Sequence, residues 1–128
     1  MLRKLILALA ISLSLFGANA ALAQTGAPLP NRGHAPTQPD GLGRLDLRVV
    51  DEQGQPVKGA LAKLTSNRAG GFLCETWNST DADGAAMLPP LHVGRLKLMV
   101  KAPGYRAQTI DLAPSALAQP IRVTLVRS

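Results

Sequence analysis

The sequence predicts an all-β fold, a β-sandwich or a β-barrel. Alternating apolar and polar runs recur through residues 43–128, and Gly, Pro, Asn or Asp turns separate them at intervals of about ten residues. No segment in this range keeps the 3.6-residue apolar period of a helix. We therefore expect one small folded domain over residues 43–128.

The first strand is expected at residues 44–50, where aliphatic and charged side chains alternate. Because successive strand residues point to opposite faces, the aliphatic set should face the core and the charged set water. A turn follows, in which Gly54 suits a left-handed conformation and Pro56 prevents ladder pairing. The expected core set is Leu45, Leu47 and Val49, and the expected solvent set is Arg44, Asp46 and Arg48.

The later strands repeat this pattern. A strand near residues 72–77 precedes a turn at residues 80–84, where Asp side chains can accept hydrogen bonds from amides ahead and Gly84 can take positive φ. A calcium loop that begins at Asp81 and Asp83 is the alternative for this turn. The expected inward residues are Ala60, Ala62, Leu64, Ala86, Leu88, Leu96, Leu98, Val100, Ile110, Leu112, Ile121, Val123 and Leu125.

Four turns in register with these strands resemble the carboxypeptidase regulatory-like, transthyretin-like domain family over residues 45–125. They are the Gly and Pro turn after the first strand, Thr80-Asp81-Ala82-Asp83-Gly84, Leu91-His92-Val93-Gly94, and Ala102-Pro103-Gly104-Tyr105. Ala86 and Leu96 stand where relatives carry aromatic residues, so we expect a core with few aromatics. The resemblance implies a transthyretin-like fold, a seven-stranded antiparallel β-sandwich of Greek-key type, that acts as an accessory or binding module.

Residues 1–23 have the three parts of a secretory signal peptide: two basic residues, an apolar run from Leu5 to Phe16, and small residues at the end. A run of about a dozen residues is too short to span a bilayer, which takes about twenty. We expect cleavage after Ala23, or alternatively after Ala20. The expected product is soluble, periplasmic or secreted, and has no membrane span.

Residues 24–42 contain four prolines and three glycines and almost no apolar periodicity. Such a segment buries too little surface to offset its ordering entropy. We predict a disordered, flexible linker that holds the domain away from its exit point or from a partner. His34 in this linker is expected to be solvated.

After signal cleavage the chain has twelve basic and eight acidic residues, a formal charge of +4. The cations are spread singly along the strands, which argues against nucleic-acid binding. Cys74 is the only cysteine, so an intramolecular disulfide is excluded. We expect Cys74 to act as a small buried hydrophobe; an exposed thiol that links two chains, or a metal ligand, is the alternative.

Catalysis needs a nucleophile beside a base, or several convergent metal ligands. The sequence offers two histidines, His34 and His92, and no zinc or copper spacing. We therefore predict no enzymatic activity, no cofactor and no metal. The alternative is a small secreted hydrolase or metal-handling protein of transthyretin-like fold that uses His92, Cys74 and nearby acids.

The expected function is binding, as an adaptor for an envelope protein or as a weak carbohydrate-binding-like module. Trp77 and Tyr105 could stack on a sugar ring, or could pack within the fold. The outward cations could face an anionic glycan or an acidic protein, and unpaired edge strands offer a pairing mechanism. The candidate surface comprises Trp77, Tyr105, Arg44, Arg48, Lys97 and Arg122, within a wider basic row that adds Lys63, Arg95 and Lys101.

Overall fold

The computed structural model describes residues 29–68 and 70–128, so the predicted signal peptide and the start of the predicted linker lie outside the described residues. The described part of the chain forms nine β-strands and one 3-10 helix, and no helix in it is long and apolar enough to cross a bilayer. The strands are β1 (Leu42–Gly43), β2 (Asp46–Val50), β3 (Leu61–Asn67), β4 (Leu73–Ser79), β5 (Ala85–Met87), β6 (Leu91–His92), β7 (Arg95–Lys101), β8 (Gln108–Leu112) and β9 (Ile121–Thr124), and the 3-10 helix is Pro114–Ala118.

Seven of these strands form two sheets. One sheet has the order β4-β3-β7-β8 with antiparallel neighbours throughout, and the other has the order β5-β2-β9. The predicted all-β sandwich is confirmed, but the β2–β9 pair is parallel, so the prediction of a wholly antiparallel fold is wrong at this pair. The reason is that the chain crosses between the sheets after β8, through the 3-10 helix, and β9 then runs in the same direction as β2. The short strands β1 and β6 form a separate antiparallel ribbon.

The core lies between the two sheets and consists of aliphatic side chains. Most of the residues predicted to face inward are buried. Each fully buried Leu or Val side chain contributes about 1.5–3 kcal/mol to the stability of the fold. Ile110, Leu112 and Ile121 are half-buried and pack against this core. No aromatic side chain is buried in the part of the chain that the structure describes. The buried set is Leu45, Leu47, Val49, Val57, Ala60, Ala62, Leu64, Ala86, Leu88, Leu91, Val93, Leu96, Leu98, Val100, Leu117, Val123 and Leu125.

Residues 31–44, here called the N-terminal strap, follow the sandwich closely, although the sequence predicts a flexible linker over most of them. His34 and Arg44 exchange two backbone hydrogen bonds, of 2.9 and 2.8 Å. Asn31 Nδ2 donates to the carbonyl oxygen of Ala118 over 2.7 Å. The strap is therefore held by hydrogen bonds between its own residues and by one to a residue 87 positions away, and a composition-based prediction of disorder takes neither into account.

Two glycines let the strap approach the sandwich. A Cβ on Gly33 would lie 2.6 Å from the carbonyl oxygen of Leu117, and a Cβ on Gly43 would lie 2.6 Å from Val93 Cγ2. Such distances are too short for any side chain, so the absence of one at each position allows the close contact.

Asp46 does not face water as the alternation predicts; only 4% of it is exposed. Its carboxylate accepts hydrogen bonds of 2.8 Å each from Arg48 Nε and Nη2, and one of 2.9 Å from the Arg32 backbone amide. Burial opposes ionisation, but these hydrogen bonds outweigh it, so the pKa of Asp46 lies below its ordinary value. The hydrogen bonding between the two side chains also raises the pKa of Arg48. Because Arg32 belongs to the strap, Asp46 ties the strap to β2.

The turn between β4 and β5 has the predicted geometry. Asp81 Oδ1 accepts hydrogen bonds from the amides of Asp83 and Ala85, at 2.9 and 3.1 Å, and Gly84 has φ 72°. Asp51 plays the same role in the turn after β2. Both turns thus satisfy amides that the sheets leave unpaired.

Candidate functional site

The outer face of the four-stranded sheet points away from the core, and we call it the open face. Its residues alternate with the buried residues of the same strands, and the strand register aligns them in rows across the sheet. It comprises Leu73, Glu75 and Trp77 of β4; Leu61, Lys63, Thr65 and Asn67 of β3; Arg95, Lys97, Met99 and Lys101 of β7; and Thr109 and Asp111 of β8.

The open face combines apolar side chains with cations. Trp77 lies opposite Lys63, which lies opposite Met99. Trp77 and Leu73 are each 63% exposed, which is unusual for such large apolar groups. An aromatic ring beside a cation suits a ligand that has both an apolar and an anionic part.

β4 is an edge strand, and its outward backbone groups are unpaired. Thr80, the residue after β4, donates its amide to the carbonyl of Ala60 and accepts from the amide of Gly59. The backbone amides and carbonyls of the even-numbered residues of β4 therefore point toward β3. The amides and carbonyls of the odd-numbered residues therefore point outward. Ser79 N donates to Asn78 Oδ1, but no partner within residues 29–68 or 70–128 reaches these groups of Leu73, Glu75 and Trp77.

A groove lies at the end of the four-stranded sheet where β3 turns into β4, and we call it the hairpin groove. Its volume is about 1130 Å³, and it is open to solvent. Residues of all four strands and of the loops at this end line it, and three cations are among them. The lining residues used below are Arg68, Leu73, Arg95, Lys97, Asp40 and Asp111.

Gly94 brings two of these cations together. A Cβ at this position would lie 2.3 Å from the carbonyl oxygen of Asn67 and 2.7 Å from Arg68 Cα. The chain just before β7 therefore packs directly against the end of β3. This contact holds Arg68 and Arg95 at the same end of the groove.

Buried Ser66 fixes the loop that contains Gly94. Its Oγ donates to the carbonyl oxygen of His92 over 2.9 Å and accepts from Gly94 N over 2.7 Å. One hydroxyl thus satisfies two backbone groups on the wall of the groove.

Ser66→Ala is expected to destabilise the fold by about 1–2 kcal/mol, because it leaves the amide of Gly94 and the carbonyl of His92 without this partner. Urea unfolding checks the value. Ser115→Ala, at an exposed serine of the 3-10 helix, is the control and should change stability by less than about 0.5 kcal/mol. Equal effects of the two changes would contradict the role given to Ser66.

The structure divides the predicted basic row between the two sheets. Trp77 and Lys97 lie on the open face. Arg48 and Arg122 are register partners on the three-stranded sheet. Arg44 Nε donates to the carbonyl oxygen of Arg32 in the strap over 2.7 Å. The predicted cations therefore lie in three places: Lys97 on the open face, Arg48 and Arg122 on the three-stranded sheet, and Arg44 at the strap.

Tyr105 is half-buried against the core. The guanidinium carbon of Arg127 lies 5.2 Å from the centroid of its ring, and the two residues form a backbone bridge. The packing role, one of the two left open for Tyr105, fits this environment.

Sequence patterns do not single out Arg68 and Phe72, although both lie at the hairpin groove or beside it. The guanidinium carbon of Arg68 lies 5.9 Å from the Phe72 ring centroid, and Phe72 is 66% exposed. The available signal was the double glycine that follows Arg68, since Gly70 and Gly71 both have positive φ and shape a tight hairpin end.

Cys74 and His92 occupy different environments. Cys74 is half-buried and packs against the core from β4, whereas His92 is exposed, and its Nδ1 lies 2.9 Å from the carbonyl oxygen of Asp40. Within residues 29–68 and 70–128, no group of three His, Cys, Asp or Glu side chains is placed to hold a metal ion.

Comparison with known proteins identifies this sandwich. The sequence pattern of the carboxypeptidase regulatory-like domain matches residues 44–126. The chain belongs to this family. The carboxypeptidase regulatory-like sandwich is similar to the crystal structure of 3-chlorocatechol 1,2-dioxygenase from Rhodococcus opacus 1CP, with a TM-score of 0.55 and 16% identity over 81% of this chain and 69% of that one. This likeness concerns the fold alone. No curated protein matches the chain.

Proposed function

We propose that the chain is an exported, non-catalytic binding module that acts as an adaptor for an envelope protein. The unpaired edge of β4 supports this proposal most directly, because an extended partner segment can add to it as a further strand. Leu73 and Trp77 flank that edge and supply apolar contact beside the new strand. The family to which the chain belongs is often a non-catalytic module.

Glu75→Pro tests strand addition. Because the amide of Glu75 points outward, proline there removes a donor from the free edge and leaves the β3–β4 ladder intact. The change should abolish partner capture. Glu75→Ala keeps the amide and should capture normally.

The measurement is affinity capture from an envelope extract of the native host, followed by quantitative mass spectrometry. Proteins retained by the wild type and Glu75→Ala, and lost with Glu75→Pro, would be partners of the β4 edge. Circular dichroism checks the fold, and Leu73→Pro, at the first residue of the strand, is a second blocking variant. Retention of the same proteins by both proline variants would disprove edge pairing, and no enrichment over empty resin would disprove the adaptor role.

A second candidate function is weak binding of an anionic glycan on the open face. Exposed Trp77 beside Lys63 supports it, since sugar rings stack on indoles and their acid groups pair with cations. Trp77 is the only tryptophan, so its fluorescence reports ligand at this face directly. Titration with oligogalacturonate should shift the emission if this function is correct and leave it unchanged otherwise.

A further inference from the structure

The open face and the hairpin groove have an excess of positive charge. They contain five cations and three carboxylates: Lys63, Arg68, Arg95, Lys97 and Lys101, and Asp40, Glu75 and Asp111. Among these groups only Lys63 and Glu75 form an ion pair within the described chain, at 3.4 Å. Four cations therefore have no carboxylate within 4.0 Å in the described residues: Arg68, Arg95, Lys97 and Lys101. A surface of this kind attracts anionic ligands.

Arg68 adds a specific donor group. Its Nε is buried and has no hydrogen-bond partner within residues 29–68 and 70–128, but the side chain as a whole is only half-buried. The accessible part of the guanidinium is the donor group best matched to a carboxylate. The Phe72 ring beside the guanidinium restricts its orientation.

The position of the groove favours an extended ligand. Residues of all four strands line it, and it is open to solvent. Leu73 lines the groove and also belongs to the free edge of β4. A segment that pairs with β4 therefore passes the groove at one of its ends.

We propose that the hairpin groove binds the carboxylate of an acidic, extended peptide, and that Arg68, in the loop that joins β3 to β4, receives it while the peptide pairs with β4. This inference rests on the proposed adaptor function and specifies the chemistry of the partner segment. Arg95, Lys97 and Lys101 extend the positive field along the open face. An acidic peptide satisfies both the unpaired backbone edge and the unpaired cations, whereas a glycan satisfies only the cations.

The test uses the mature chain and two pools of blocked octapeptides. One pool has aspartate at two fixed alternating positions, and the other has asparagine there; binding is measured by fluorescence anisotropy. The aspartate pool should bind at least about tenfold more tightly, because each charge-assisted hydrogen bond is worth about a factor of ten or more. Raising sodium chloride from 20 to 200 mM should weaken it.

The variant Arg68→Gln with Arg95→Gln should lower the affinity for the aspartate pool about tenfold or more and leave the asparagine pool unaffected. The matched control is Lys58→Gln with Arg106→Gln, which removes the same charge from exposed sites off the open face, and it should bind as the wild type does. Equal losses in the two double variants, or equal binding of the two pools, would overturn the inference. Binding of oligogalacturonate but of neither peptide pool would also overturn it.

Glu75→Pro separates this inference from the proposed function. If Glu75→Pro releases the aspartate pool but the arginine variant does not, strand addition stands and the groove assignment fails. If the arginine variant releases it and Glu75→Pro does not, the groove binds the acid without strand pairing, and the proposed peptide mode fails.

Discussion

Gly84→Ala is expected to destabilise the domain by about 3 kcal/mol or more, from two costs that add. Gly84 has φ 72°, a conformation that alanine adopts only with strain. In addition, the Cβ of an alanine at this position would lie 2.4 Å from the carbonyl oxygen of Val49 and 3.1 Å from Pro56 Cα. Both are backbone atoms, so relief requires β2 or its following turn to move.

Gly59→Ala separates these two costs. Gly59 has φ 78°, but a Cβ there has no atom within 4 Å, so this change should cost only about 1–2 kcal/mol. Urea unfolding of the two variants at neutral pH gives the difference, which measures the backbone contact at Gly84. For a small domain with about 5–10 kcal/mol of stability, that difference is large. Equal losses would show that β2 yields to the extra methyl group without penalty.

The core could be predicted because it depends on local alternation. Leu45, Leu47 and Val49 are each separated by one charged residue, and a strand has only two faces, so one choice of face buries all three. Gly84 could be predicted for a related reason, since the Asp81 turn needs a residue that accepts positive φ. Both features depend on residues within a few positions of one another.

The strap and the hairpin groove could not be predicted in this way. Residues 31–44 look disordered by composition, yet Asn31 is hydrogen-bonded to a residue 87 positions away. Arg68 is an ordinary loop cation in the sequence; its significance comes from Gly94, which packs against it in space. Contacts between distant segments decide these features, and no local pattern encodes them.

Asp46 shows both a local and a long-range effect. The strand alternation predicts that its side chain faces water, but the strap covers it. Asp46→Asn is expected to cost about 2–4 kcal/mol at pH 7, since the amide loses the charge that pairs with Arg48 and turns donors toward a guanidinium. Glu75→Gln is the matched control. The Lys63–Glu75 pair is more than 40% exposed on both sides and 3.4 Å apart, so its loss should cost less than about 1 kcal/mol.

Acid titration should show how much of the stabilising effect of Asp46 comes from its charge. The pKa of Asp46 in the folded state lies below its ordinary value of 3.8, so its ionised form stabilises the fold at every pH above 3.8. That contribution is lost as the pH falls below 3.8 through the folded-state value, when the carboxyl group takes up a proton. The gap in unfolding free energy between wild type and Asp46→Asn should therefore narrow below pH 3.8 in urea titrations. A gap that stays constant across this range would place the stabilising effect of Asp46 in its shape rather than in its charge.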